Sequence, residues 1–263
     1  MKSPWFTSEG RAHAAVARAP GAIVLRTQGG LGNQLFQVLY GRLLAQKLDL
    51  PLREVHEAPH RPEHSRHPPP NPSQLRISNW RIPQMLRMVL GRGFERPLRL
   101  GNDWYVDGQF QMGKHYKQFV DQSLREQLLK LATELDLAGA SLDQCLVDLR
   151  LNDFLGNRNA ARLNALTRLS ACPEGATLMT NDEALLREDG LSTLMIARRA
   201  QLISTQNLSP FEVLRTMARY KRLETTNSTM AVWCHLLSGT QVSFQEPRLA
   251  ELTNHLSAFA PWR

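Results

Sequence analysis

At 263 residues and 42% hydrophobic composition, the chain can bury one large core or two small ones, which excludes a wholly disordered class. Its formal net charge of +8 favours an anionic partner: nucleic acid, an acidic membrane surface or a phosphorylated small molecule. The three cysteines, Cys145, Cys172 and Cys234, are far apart with no Cys-x-x-Cys spacing, so neither a metal centre nor a disulfide framework is expected and a reducing cytoplasm fits.

The residues 1–20 carry charges and alanines without a continuous apolar stretch, and read as a loose tail, not a secretory signal. No apolar run reaches the ~18 residues of a membrane-spanning helix. Ala22 to Leu25 is short and rich in β-branched residues, as a buried strand is. It leads into Gly29 to Gln37, GGLGNQLFQ, where a glycine turn opens a helix expected from Gly32 to about Leu48 with Phe36, Leu39 and Leu43 on one face. Strand, glycine turn and helix start together let backbone N–H groups converge on an anion. The sequence fits neither a dinucleotide fingerprint nor a P-loop.

Pro59 to Pro72 cannot form regular structure and is expected as a loop, and Ile82 to Leu90 as a short helix. Arginines and histidines between Arg53 and Arg99 read equally as a solvated basic loop or as a binding surface. Asp103 to Phe110 has strand-like aromatics, and Leu124, Leu128, Leu131 and Leu135 mark an amphipathic helix. After Gly139, short strands alternate with helices: strands are expected at Cys145–Arg150, Thr177–Thr180, Thr193–Ala197 and Leu223–Thr225. Helices are expected from Asp182 to Glu188, from a capping box at Ser209-Pro210-Phe211-Glu212 to about Tyr220, and from Ser228 to Leu237, closed by Gly239. Such alternation predicts an α/β fold with parallel sheets. No helix-turn-helix or interleaved aromatic–basic motif supports a nucleic-acid partner.

Ligands of open α/β sheets lie beyond the carboxyl ends of strands, and three such ends carry polar residues. Arg150 ends an apolar strand with Asp153 in the following turn; it can make bidentate hydrogen bonds to a diphosphate, or pair with Asp153 at the surface. Asp182, in Thr180-Asn181-Asp182, is placed to cap a helix. Thr226-Asn227-Ser228-Thr229 puts hydroxyls and free N–H groups at the start of a helix containing Trp233.

The order Gly-Gly-Leu-Gly-Asn-Gln-Leu-Phe-Gln resembles the N-terminal motif of the α-1,2-fucosyltransferases, glycosyltransferase family 11. Val147 to Phe154, VDLRLNDF, is similar to that family's His-x-Arg-Arg-Gly-Asp-Tyr: Arg150 takes the first arginine, Asp153 and Phe154 the Asp-Tyr, while Asp148, Leu151 and Asn152 replace the histidine, second arginine and glycine. Thr180-Asn181-Asp182 resembles Ser-Asp-Asp, and Asn227, Ser228 and Trp233 match Asn-Ser-Ser-Phe-Ser-Trp-Trp with Thr229 a conservative replacement. Asp107-Gly108-Gln109-Phe110-Gln111 with Lys114 echoes a further motif, with Phe110 and Trp104 candidates to face a sugar acceptor. The resemblance covers most of the chain outside the tail and the proline-rich region.

The resemblance implies a GT-B-like fold of two facing Rossmann-like domains with a cleft between them: an acceptor-side half, 21–140, and a nucleotide-sugar half, 141–263. It implies an inverting, metal-independent transfer of L-fucose from GDP-fucose to the 2-hydroxyl of a galactose-type acceptor, with no resident cofactor. The residues it places at the donor are Gly30, Gly32, Asn33, Gln34, Arg150, Asp182, Asn227, Ser228 and Thr229; Arg150 carries the departing diphosphate, and Asp153 or Asp107 takes the hydroxyl proton. It implies a GDP-sugar donor, an oligosaccharide or glycan-lipid acceptor, and a bacterial cytoplasmic protein, with peripheral contact at the inner membrane left open. The competing expectation is a degenerate relative that binds a nucleotide sugar or glycan without transfer.

Overall fold

A computed structural model describes residues 21–56, 97–137, 139–149, 158–225, 228–244 and 246–262. The tail, the proline-rich stretch, the helix expected at Ile82–Leu90, and Arg150, Asp153 and Asn227 lie outside the described residues.

The described strands form two sheets. In the first, β1 (Ile23–Thr27) is parallel to β2 (Leu52–His56) on one side and to β4 (Asp103–Val106) on the other, with β3 (Leu98–Leu100) antiparallel on the β4 edge. Every residue of β1 is buried, as a central parallel strand requires. The second sheet is wholly parallel: β5 (Leu142–Leu149), β6 (Thr177–Thr180), β7 (Gln201–Ser204), β8 (Tyr220–Glu224) and β9 (Gln241–Ser243), in the order β7-β6-β5-β8-β9. Counted along the chain that order is third, second, first, fourth, fifth, the doubly wound arrangement whose direction of winding reverses between β5 and β8. The fold is therefore α/β with two mainly parallel sheets, the GT-B-like plan that the motifs imply.

Helix α1 (Leu31–Leu48) follows β1, and α2 (Asp121–Glu134) carries the expected leucine stripe, with Leu124, Leu128 and Leu131 buried. The second sheet is wound with α3 (Arg158–Ala171), α4 (Glu183–Leu186), α5 (Asp189–Ala197), α6 (Pro210–Ala218), α7 (Thr229–Ser238) and α8 (Pro247–Ser257). The capping box forms in full, Ser209 accepting from the Glu212 N–H and Glu212 from the Ser209 N–H. Gly239 ends α7 at φ 79°, a left-handed conformation that costs a glycine least. Among the described residues no helix is long and apolar enough to cross a membrane.

Two cores result. The larger joins both sheets: Ile23 and Leu25 of β1, Val106 of β4, Leu146 of β5 and Leu223 of β8 share it with α1, α2, α6, α7 and α8. The smaller lies on the other face of the second sheet, where Cys145, Val147 and Leu149 of β5 pack under α3, α4 and α5.

Three expectations are corrected. Thr193–Ala197 is helix, not strand; the third strand of this half begins at Gln201. Leu191, Leu194 and Met195 follow the three- and four-residue spacing of a helix face, which a short apolar run does not distinguish from a buried strand. The helix expected over Asp182–Glu188 is a single turn, α4, followed by α5. The strand expected over Asp103–Phe110 ends at Val106, and Phe110 turns inward at φ 49°, fully buried and stacked on Tyr40 at 4.0 Å between ring centroids. It is core, not an acceptor platform. Trp104 is half-buried against the same core, with the Arg99 guanidinium 5.8 Å from its ring.

Candidate functional site

The two helices that start at the glycine motif and at Ser228 meet at their first turns. Gly30 is the N-cap of α1 and is exposed; a Cβ added there would meet nothing within 4 Å. Gly32 is different: a Cβ there would collide with Thr229 Oγ1 and lie 2.7 Å from the Met230 backbone nitrogen. Its carbonyl accepts from Trp233 Nε1 at 2.8 Å, and Trp233 is wholly buried with its ring 4.6 Å from Phe36. The glycine at this position thus lets α1 and α7 approach each other.

The polar residues of the motif are held the same way. Gln34 Nε2 donates to the Gly29 carbonyl at 2.7 Å, and the buried Gln37 accepts from the Gln28 N–H at 2.8 Å while donating to the Gln28 carbonyl at 3.3 Å. Asn33 Oδ1 accepts from Gln111 Nε2 at 2.7 Å and from Thr229 Oγ1 at 3.0 Å. Arg248 Nη2 in turn donates to Gln111 Oε1 at 3.0 Å, so one hydrogen-bonded chain joins α8, the segment after β4, α1 and α7. Gly32, Asn33, Gln34 and Thr229, expected at the donor, are brought together, and their polar atoms named here are engaged with protein.

The start of α7 has a second side. Ser228 is its N-cap, 1% exposed, with no capping bond from its side chain and no hydrogen-bond partner for Oγ among the described residues. It lines a pocket of about 150 Å³ together with Asp148, Asn181 and Thr205, walled by Met179, Leu208, Val213, Met217 and Met230. The pocket lies beyond the carboxyl ends of β5, β6 and β7 and against the first turns of α6 and α7. Asp148 borders the point where the winding of the sheet reverses, the usual ligand crevice of such folds. A larger groove, about 380 Å³, lies at the β7 edge and is walled by Leu186, Met195, Ile196 and Leu202, with none of the motif residues in its lining. Chemistry favours the smaller pocket.

Asp148 is 3% exposed and accepts from Thr225 Oγ1 at 3.2 Å. Arg168 of α3 is buried nearby, its Nε donating to Asn164 Oδ1 at 3.1 Å. Burial lowers the Arg168 pKa, and attraction to Asp148 and Glu224 opposes that shift. The Cys234 thiol of α7 is pushed up by burial and, secondarily, by the Asp148 carboxylate. All three cysteines are buried and unbridged, and burial raises the Cys145 thiol to about 11.

Asp182 follows the pocket residue Asn181 and is not itself in the lining. Its Oδ1 accepts from the Leu185 N–H at 3.1 Å, the ordinary work of an N-cap. Asp107, at the carboxyl end of β4, accepts from Arg26 Nη1 at 2.9 Å and from Gln28 Nε2 at 3.2 Å, an ion pair with both partners largely buried.

Asp148, Thr225 and the methionine walls were not among the residues that the motifs assign to the donor. One signal for Asp148 was present: a carboxylate inside the otherwise apolar run Cys145-Leu146-Val147-Asp148-Leu149, where an idle charge is expensive.

A comparison with family models finds no match, and neither does one with curated proteins. Among solved structures, the chain is similar to NodZ alpha-1,6-fucosyltransferase co-crystallised with GDP, at 14% identity and a TM-score of 0.40 over 83% of this chain and 93% of that one. The same enzyme soaked with GDP-fucose aligns with 14% identity and a TM-score of 0.43, again over 83% and 93% of the two chains. Fucosyltransferase NodZ from Bradyrhizobium aligns at 13% identity and a TM-score of 0.41, with the same coverage.

Proposed function

We propose that this protein is an inverting glycosyltransferase that moves L-fucose from GDP-fucose to the 2-hydroxyl of a galactose-type glycan, without a metal ion. One observation carries the reading: the polar-floored pocket at the reversal point of the second sheet, where the buried Ser228 hydroxyl at the start of α7 has no partner among the described residues. A helix N-terminus with such a hydroxyl suits a nucleotide diphosphate, and it is supplied by the segment that resembles the family's Asn-Ser-Ser motif.

In this reading residues 141–263 hold the donor and 21–140 the acceptor, an oligosaccharide or glycan-lipid. The acceptor oxygen attacks the anomeric carbon of fucose from the face opposite the diphosphate, the bond to the diphosphate breaks, and GDP leaves with that electron pair. Arg150, together with the N–H groups at Asn227, Ser228 and Thr229 and the Ser228 hydroxyl, stabilises the departing charge. The hydroxyl proton passes to a carboxylate, Asp153 or Asp107. The setting is the cytoplasm of a bacterium.

The test is calorimetric titration with GDP, GDP-fucose and UDP in chelator, for the wild type and Arg150→Ala, followed by transfer to galactose-type acceptors with linkage analysis of the product. Guanine-selective binding in chelator, weakened in the variant, and a 2-linked fucosyl product are expected. An absence of nucleotide binding sinks the donor assignment; a product linked elsewhere overturns the 2-hydroxyl. A second reading, a relative that binds without transferring, is favoured by Asp148 and Leu151 standing where the motif has histidine and arginine. Any measurable transfer or donor hydrolysis excludes it.

A further inference from the structure

The second sheet ends on one side at β7. The N–H groups of Gln201 and Thr205 donate inward, to the carbonyls of Ala176 and Thr180. In a parallel ladder the residues between them point the other way. The N–H and C=O groups of Leu202 and Ser204 therefore face outward, with no hydrogen-bond partner among the described residues. The strand is short, but Gln-Leu-Ile-Ser carries no charge, proline or bulge to blunt this edge. Beside it, on the face covered by α5, lies the apolar groove walled by Leu186, Met195, Ile196 and Leu202. Ile196 is 79% exposed, an apolar knob next to an apolar hole. The opposite edge, β9, borders a cavity lined largely by Arg222, Glu224, Gln241 and Ser243, a polar surface that gains little by leaving water.

The charges around the groove select the kind of partner. Arg187 pairs with Glu183 at 2.7 Å, Arg199 with Glu174 at 3.2 Å and Arg162 with Glu188 at 3.7 Å. The Arg198 guanidinium is tied to the Ser170 carbonyl. Although the chain carries a net +8, this rim presents both signs. An anionic membrane or an acidic protein would meet a glutamate beside each of those three paired arginines, whereas a surface of both signs complements a copy of itself. We propose that β7 is the interface of a homodimer, in which two copies pair their β7 strands antiparallel about a two-fold axis normal to the sheet at Ile203. Leu202 then lies opposite Ser204 of the partner subunit and exchanges two backbone hydrogen bonds with it, and symmetry repeats the pair. The outward N–H and C=O groups of both strands are thereby satisfied. The same rotation keeps both α5 helices on one face of the joined sheet, so Ile196 of each copy meets the groove of the other, an isologous contact. The pocket at Ser228 lies against α6 and α7, so this interface does not use it, and the inference stands apart from the donor reading.

The experiment is sedimentation equilibrium of the full chain, with far-ultraviolet circular dichroism as the check on folding. The wild type should sediment at twice the chain mass of 29.8 kDa. Ile196→Asp puts a charge where the single chain is already exposed, so it should leave the spectrum unchanged and weaken association about tenfold or more. Ser204→Pro removes an N–H that the ladder to β6 does not use, and should weaken association likewise. Ile203→Cys tests the register without relying on a loss. Opposite residues of a non-hydrogen-bonded antiparallel pair have Cα atoms about 4.5 Å apart, within disulfide range, so mild oxidation should link two copies. The native cysteines are buried and should give no such link. A wild type at single-chain mass at every concentration overturns the proposal. So does a dimer that neither Ile196→Asp nor Ser204→Pro weakens and that Ile203→Cys does not cross-link, since its interface lies elsewhere. Single chains that bind phosphatidylserine vesicles and lose that binding in Ile196→Asp give the groove to a membrane, and overturn it too.

Discussion

The two helix starts that meet at Gly32 and Thr229 make an instructive pair. Both follow a strand, both carry small and hydroxyl or amide residues, and both read as anion sites in the sequence. At α1 the amides of Asn33, Gln34 and Gln37 are bonded to protein, and Gly32 is pressed against α7. At α7 the Ser228 hydroxyl is buried without a partner among the described residues and borders a pocket. The contrast shows that similar motifs can have their polar atoms bonded to protein in one place and, in the next, leave a hydroxyl beside a pocket with no partner among the described residues. The discriminating feature is where the polar atoms already have partners, since each buried polar atom must find one.

Substitutions should separate these roles. Gly32→Ala should have the largest effect, because its Cβ meets the α7 backbone at Met230 and Thr229 as well as the Thr229 hydroxyl, and the backbone cannot swing aside; a loss of about 3 kcal/mol is expected. Urea unfolding measures it, and an unchanged midpoint would mean that the helices do not meet this closely. Next, Gln37→Ala should cost about 1–3 kcal/mol by leaving both backbone groups of Gln28 without their side-chain partner.

Ser228→Ala should behave in the opposite way. It removes no capping bond, so stability should stay within about 0.5 kcal/mol of wild type, while GDP affinity should drop about tenfold. Calorimetry and unfolding on the same sample check both halves. Lost stability with intact binding would reverse the contrast between α1 and α7.

The smallest effect is a control in the first sheet, away from either helix start. Burial raises the Glu54 pKa, with Arg42 opposing and Glu134 adding. Its folded value therefore lies above its unfolded one, so its contribution to stability is fully present below the unfolded pKa and is lost as pH rises through the folded one. Glu54→Gln should raise stability at neutral pH by about 0.5 kcal/mol or less, with no gain in acid. A gain that persists in acid would point to packing instead of charge.

Much of the scaffold was legible in the chain, because it depends on neighbours in sequence. The leucine stripe of α2, the capping box of α6 and the glycine that ends α7 are local physics, and each appears where the pattern puts it. The apolar run around Leu194–Ala197 was not legible, since a short buried segment reads alike as helix or strand until something packs on it. The helices α3 and α8 and the strands β2, β3 and β9 were not among the expected elements, although α8 carries a readable signal in Pro247 at its start and Leu249, Leu252 and Leu256 on one face.

The motif residues divide along the same line. Sequence alone marked Gly32, Asn33, Gln34, Ser228 and Thr229 as belonging to helix starts with polar chemistry. Only the tertiary structure decided that Gly32 serves the contact with Thr229 and Met230, that Asn33 bridges Gln111 and Thr229, and that Ser228 borders the pocket with Asp148. Asn33 and Thr229 are separated by 196 positions along the chain. Whether a hydroxyl or an amide is free for a ligand depends on what the fold brings within hydrogen-bond reach, and no pattern of neighbours in sequence contains that distance.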